Sequence, residues 1–350
     1  MKFSNVVIDS FGYELPPNVI TSADLEERLA PLYEKLHFQH GQLEAVTGIY
    51  ERRWWDPGFS VGQGAVMAGK KALDSAFERS GLLPKDIGML IYGGVCREKL
   101  EPATACGVCD GLGLGPNTML YDVSNACLGV VNGMVQVANA IELGQIKAGM
   151  VVSCETAREI VTATIDRLLA AGDMDTFRKC IATLTGGSGA VAVILTRRDL
   201  SGYGHRLLGG VARSAAQHFR LCTWGPDTGI PATMPLVMET DSVGVLKNGV
   251  ALGIETFRQF RQTLDWEESA PDKIVCHQVG ATHQKNILST VGLSEEKDFS
   301  TFPFLGNIGT VSLPITAAIA SERDFLSSGD KVGFLGIGSG LNCLMLGVEW

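Results

Sequence analysis

Apolar positions recur along this chain in two rhythms. Short, nearly unbroken apolar runs fall at 87–91, 119–123, 150–153 and 190–195. A second series falls at 274–278, 300–304, 332–337 and 344–348. Runs of this length predict buried strands. Between most of them apolar residues return at helical spacing, over 65–80 and 130–141, then over 252–264, 283–291 and 314–327. Strands alternating with helices predict an α/β fold with mainly parallel, covered sheets.

The two series resemble each other. The first three strands of each begin 32 and 31 residues apart in one series, and 26 and 32 apart in the other. Such spacing points to an internal duplication. Two similar halves, 1–185 and 186–350, are expected to share one packed core. The first half carries an additional segment at about 156–185, and insertions of this kind tend to cover a site or a subunit contact. The glycine-rich stretch 201–210 and the loop 224–235 read as ordinary connections.

Bulk properties narrow the function classes. A chain of 350 residues with 45% hydrophobic and 19% charged residues can bury a large core. Its formal net charge of −9, with no run of Lys or Arg, argues against nucleic-acid binding. No signal-peptide pattern and no apolar stretch of membrane-spanning length is found, so a cytoplasmic protein without a membrane span is expected. Nine cysteines without a framework pattern suit a reducing compartment. Cys106 and Cys109 have half-zinc-site spacing, but no second pair completes it; they read as small interior residues of a helix, and no metal site is expected.

Cys127 differs from the other eight cysteines, which read as inert. It follows the run Met119, Leu120, Tyr121 and Val123, and precedes the helical pattern from Val130. At a helix start, N–H groups and the positive dipole end favour thiolate, which makes Cys127 a candidate nucleophile. A nucleophile needs positioned partners. His277 ends the apolar run from Ile274, at the carboxyl end of a strand where α/β sites gather. A histidine that merely caps a strand is the competing reading. Asn307 stands between Gly306 and Gly309 after another predicted strand, about one repeat from Cys127; a turn asparagine is the alternative. The stretch from Gly336 to Asn342 lacks the lysine of a phosphate loop. It suits either a backbone N–H aimed at an oxyanion or a tight hairpin.

Asn125-Ala126-Cys127, His277-Gln278, Gly306-Asn307-Ile308-Gly309 and Gly338-Ser339-Gly340, in this order, resemble the thiolase superfamily in its ketoacyl-synthase III-like branch. The resemblance runs from Val6 to Trp350. It implies a five-layered αβαβα sandwich of two duplicated halves, normally a homodimer, with Cys-His-Asn catalysis. Leu100-Glu101-Pro102-Ala103-Thr104-Ala105, Cys154-Glu155-Thr156-Ala157 and the terminal glycine-rich run resemble the OleA-type synthases. That subgroup implies non-decarboxylative, head-to-head Claisen condensation of two fatty acyl-CoAs to a 2-alkyl-3-oxo acid, a step of long-chain olefin biosynthesis, with other lipid-pathway enzymes downstream. Coenzyme A thioesters would be substrates, and no cofactor is implied.

By the same resemblance Glu101 would remove an α-proton in the partner subunit's site, while N–H groups at Cys127 and Ser339 would hold the oxyanion. Arg52, Arg53 and Trp54 would contact coenzyme A. The alternatives are a decarboxylating synthase III that joins acyl-CoA to malonyl-carrier protein, an HMG-CoA-synthase-like condensation, and a non-catalytic subunit of a lipid-synthesis complex.

Overall fold

The protein is described by a computed structural model covering residues 1–202, 204–225 and 237–350. Most of the 224–235 loop therefore lies outside the described residues.

Nine strands form one mixed sheet: β1 (Val6–Glu14), β2 (Met89–Gly93), β3 (Met119–Val123), β4 (Ala148–Glu155), β5 (Gly189–Arg197), β6 (His205–Ser214), β7 (Lys273–Cys276), β8 (Lys331–Gly338) and β9 (Asn342–Glu349). Their spatial order is β7-β8-β9-β6-β1-β5-β4-β2-β3. The principal helices are α1 (Val61–Ser80), α2 (Thr104–Leu112), α3 (Gly129–Glu142), α4 (Arg158–Ala171), α5 (Ser242–Leu264), α6 (Ala281–Val291) and α7 (Ser312–Glu322).

The sheet has two wings, joined where β1 meets β6 through Val7 opposite Arg206 and Ile8 opposite His205. Helices α3 and α7 are packed between the wings, α1 and α2 cover the outer face of one, and α5 and α6 cover the other. This is the expected αβαβα order. Helix α7 shows why it sits in the middle: every residue from Ser312 to Ala320 is buried, as for a helix apolar all round. Each large side chain there, such as Leu313 or Ile315, contributes roughly 1.5–3 kcal/mol by leaving water. Helix α1 instead buries a stripe of Ala65, Ala68, Ala72 and Ala76, small enough to lie close on the sheet.

Several expectations are corrected. The sheet is not mainly parallel: only β2–β3, β2–β4 and β7–β8 pair in parallel, and the other five pairings are antiparallel. Strand β5 pairs with β1 and β4, so the first wing continues to Arg197, beyond the expected boundary at 185. The stretch 201–210 is no simple connection, because its second part is β6, and His205 on it stacks on Trp350. The expected strand at 300–304 is a short helix, Phe302–Leu305, preceded by one bridge between Ile274 and Asp298. Pro303 cannot donate to a ladder, and the N–H groups of Thr301 and Phe302 go to Oε1 of Gln278 instead. Helix α7 ends at Glu322 rather than at 327.

Candidate active site

Cys127 lies in the turn from β3 into α3. Ala126 before it takes a left-handed φ of 46°, and the N–H of Leu128 returns to the carbonyl of Asn125 at 2.9 Å. The far wing grips the helix start, since the Val130 N–H donates to Oγ1 of Thr310 at 2.8 Å. Cys127 opens on a cavity of about 280 Å³ whose walls include Glu155, Asn307, Gly309 and Ser339. Thr156, Ala157, Ile160, Ala182, Thr183 and Thr185 complete much of the rest, so the 156–185 insertion does wall the candidate site. A larger neighbouring cavity of about 460 Å³ shares Val95, Thr156, Ile160 and Trp224 with it.

The expected thiolate is not what this environment favours. Burial pushes the Cys127 thiol up to about 12, with Cys222 and Glu155 nearby adding to the effect. Helix α3 begins two residues later, at Gly129, and none of the described cavity-lining residues is a cation. Both the partial burial of Cys127 and the lack of a cation among those residues favour the neutral thiol over the thiolate.

Asn307 is fixed by its backbone. Its N–H donates to the Thr185 carbonyl, its carbonyl accepts from the Gly187 N–H, and its Oδ1 accepts from the Gly309 N–H at 3.1 Å. Gly306 and Gly309 both have positive φ, 68° and 62°, as the glycine-flanked turn led one to expect. Ser339 follows β8, where the chain passes very close to the nucleophile: a Cβ on Gly338 would stand 3.5 Å from the Cys127 nitrogen. Asn342 ties the two loops together, with Nδ2 donating to Oδ1 of Asn125 at 3.1 Å.

His277 follows β7, and its N–H donates to the Leu335 carbonyl at 3.0 Å. It is buried, its Nδ1 lies 2.7 Å from Oγ of Ser312, and it does not line the 280 Å³ cavity. Burial, with His283 nearby, holds it down to about 3, so the ring is neutral. Glu101 is exposed on the segment between β2 and α2, and it does not line the cavity of its own chain.

The expected coenzyme A contacts are corrected. Arg52 is fully buried, with Nη1 donating to Oγ of Ser22 and Nη2 to the Leu184 carbonyl; burial lowers it to about 10. Trp54 is buried and donates to the Gly186 carbonyl. Arg53 is part-exposed, with Nη1 donating to the Pro16 carbonyl at 3.3 Å, so the correction applies to Arg52 and Trp54. Arg52 and Trp54 thus tie residues 51–54 to the end of the insertion at Leu184 and to Gly186 just beyond it.

Two cysteine readings also change. Cys106 is exposed on α2 rather than interior, and Cys222 is a second thiol in the cavity wall. Among the described residues no cluster of three or more metal-ligating side chains is found, and no helix is long and apolar enough to cross a membrane. Sequence reasoning assigned no role to Glu155, quoted only within a family motif, and did not single out Ser312. Glu155 carried a signal, being an acidic residue closing an otherwise apolar strand.

Residues 262–350 match the family model for the 3-oxoacyl-[acyl-carrier-protein] synthase III C terminal. The chain is 51% identical over 353 residues to an acyl-CoA:acyl-CoA alkyltransferase of Shewanella oneidensis, covering all of both chains. It is 36% identical over 351 residues to one of Xanthomonas campestris, again covering all of both. The crystal structure of Xanthomonas campestris OleA with bound lauric acid and lauroyl-CoA superposes with a TM-score of 0.92 at 36% identity, over 99% of this chain and 100% of that one. With identities of this order over its full length, the chain belongs to the acyl-CoA:acyl-CoA alkyltransferase family, in the synthase III-like branch of the thiolase superfamily.

Proposed function

We propose that this protein condenses two fatty acyl-CoAs head to head, without decarboxylation, to a 2-alkyl-3-oxo acid through an acyl-Cys127 intermediate. The observation that carries the reading is the 280 Å³ cavity, in which Cys127 of the first wing faces Asn307 and Ser339 of the second. The full-length relatives named as acyl-CoA:acyl-CoA alkyltransferases support it.

The sulfur of Cys127 attacks the first acyl thioester and its proton leaves with the coenzyme A thiol. Backbone N–H groups at Cys127 and Ser339 are suited to hold the tetrahedral oxyanion. His277, neutral in its buried site, and Asn307 act as hydrogen-bond donors to the carbonyl of the second acyl-CoA. A simple acyl thioester forms its carbanion only by losing an α-proton, so a base is required. Glu101 supplies it from the neighbouring subunit of a homodimer; its exposed position away from its own cavity suits delivery in trans. The carbanion then displaces Cys127 from the acyl group, and hydrolysis of the remaining thioester releases the 3-oxo acid. The adjoining 460 Å³ cavity gives an acyl chain room beside Cys127. The product enters olefin biosynthesis through downstream enzymes.

A second reading, decarboxylative joining of acyl-CoA to malonyl-carrier protein, draws on the absence of Glu101 from its own cavity and on the synthase III match. Loss of carbon dioxide would then generate the carbanion without a base. Purified protein incubated with lauroyl-CoA alone separates the two. Two coenzyme A molecules released per 3-oxo acid, or per ketone formed from it, support the head-to-head reaction. A stable acyl-Cys127 that advances only on addition of malonyl-carrier protein overturns it.

A further inference from the structure

The segment between β2 and α2, which carries Glu101, is held at three places by carboxylates: two, Asp122 and Glu155, reach it from outside, and the third, Glu98, is its own. At its end, the two carboxylate oxygens of Asp122 accept from the N–H groups of Thr104 and Ala105, at 2.9 and 3.0 Å. In its middle, Oε2 of Glu98 accepts from Oγ of Ser60 and the N–H of Gly62, so the segment is tied to the first turn of α1. At its root, Oε1 of Glu155 accepts from the Val95 N–H at 2.9 Å and Oε2 from the Cys96 N–H at 3.2 Å. The buried hydroxyl of Tyr92 stands 2.7 Å from the Cys96 carbonyl and 2.9 Å from that of Cys154, bracing the same joint.

Glu155 is unlike the other two. It is buried, it closes β4, and it forms part of the wall of the Cys127 cavity. One face of this carboxylate therefore meets whatever occupies the nucleophile's chamber, while its oxygens hold the root of the segment that presents Glu101. We propose that Glu155 is a positioning residue linking the two sites of a dimer: it sets, from the Cys127 chamber of one subunit, how Glu101 is presented to the other. The inference rests on the reading that Glu101 serves the partner.

The chemistry of the joint suits this role. Two consecutive N–H groups are matched by two acceptor oxygens, and charge-assisted bonds of this kind are the stronger sort. Burial raises the acid above the ordinary carboxylate range, and the Cys96 thiol and the two N–H donors oppose that rise. Glutamine at this position offers one acceptor, and its amide N–H₂ faces a second donor.

Mixed dimers of two differently tagged chains test the link, with lauroyl-CoA as substrate. In the reference dimer one subunit carries Cys127→Ser and the other Glu101→Ala, leaving one site in which Cys127 of the second is served by Glu101 of the first. Glu155→Gln is then added to either subunit. Placed with Cys127→Ser, it should lower condensation turnover at least tenfold and leave the coenzyme A burst from acylation of the other subunit unchanged. A smaller loss is expected when it is placed with Glu101→Ala.

Equal loss in both placements, or loss confined to the subunit bearing the intact Cys127, overturns the proposal. If the reference dimer itself forms acyl-enzyme but never condenses, delivery of Glu101 in trans has failed and the inference falls with it. Should Glu155→Gln give no dimer, Glu155→Asp keeps both oxygens but draws them back by one methylene. It is placed in the same two ways and judged by the same criteria.

Discussion

Nδ1 of His277 lies 2.7 Å from Oγ of Ser312, so the ring that follows β7 is oriented by the first residue of α7. If the serine hydroxyl donates to Nδ1, the proton of the neutral imidazole sits on Nε2, the nitrogen left to donate to a substrate carbonyl. Ser312→Ala removes that restraint and leaves a buried ring nitrogen without its partner. Condensation should fall by part of the roughly 10²–10³-fold that one positioned donor to a developing oxyanion supplies, and stability by about 1–3 kcal/mol. Ser312→Thr should recover much of the turnover. Steady-state rates beside urea unfolding check both; unchanged turnover in the alanine variant would remove Ser312 from the account.

His277 also writes a pH dependence into stability. Its ring titrates near 6.5 when unfolded and is held to about 3 by burial when folded. Below pH 6.5 the unfolded chain takes up a proton that the folded chain refuses. The contribution is therefore complete above 6.5 and is lost as the pH falls from there toward 3. At pH 5.5 this one ring should cost about 1.4 kcal/mol relative to pH 7.5. The penalty of His277→Asn, measured by urea unfolding, should shrink by about that amount between the two pH values. A constant penalty would mean that the ring is not held neutral.

Cys127, pushed up to about 12 by burial, should react sluggishly in the free protein. Alkylation by iodoacetamide, followed at Cys127 by peptide mapping, should be slower at pH 7 than at the exposed Cys106, and should keep rising beyond pH 9. A plateau below pH 8 would restore an activated thiolate. Cys127→Ser should abolish the covalent acyl-enzyme, and acyl label found on Cys222 instead would displace Cys127 as the nucleophile.

Gly338→Ala tests the close passage of β8 behind the nucleophile. The added Cβ would stand 3.1 Å from Cγ of Leu128 and 3.5 Å from the Cys127 nitrogen. Displacing that loop should cost about 1–3 kcal/mol, as overpacking does. It should also slow the coenzyme A burst more than it slows the later condensation step. A normal burst would show that the Cys127 N–H tolerates the shift.

What the sequence disclosed depended on whether a signal was local. The β3 run at 119–123 has the bounds expected of it, and Cys127, Asn307 and Ser339 were legible because each stands at or just beyond the end of an apolar run. Strand β6 was hidden by its glycines. One of them, Gly209 at φ 139°, lies in a bridge to Lys2, a partner that no nearby residue announces. The 300–304 run had strand composition, but Gln278, more than 20 residues upstream, takes its first N–H groups. Arg52 looked like an anion contact because burial by Ser22 and Leu184 is a tertiary fact. Glu155 was readable as an acid ending a strand, yet its two N–H partners lie about 60 residues earlier.

The cavity draws Cys127 and Glu155 from one wing and Asn307 and Ser339 from the other, and the sheets of the two wings join through two residue pairs between β1 and β6. No piece of the chain confined to one wing can therefore hold a working chamber. A nascent or partly unfolded chain that has completed its first wing already exposes the nucleophile, but it lacks the asparagine and the loop that would stabilise a bound acyl group. Such a chain lacks the Ser339 N–H that would help hold the oxyanion of acylation, so efficient acylation becomes a reporter of complete folding. Acyl-enzyme formation in a refolding time course should appear only with the last phase of structure.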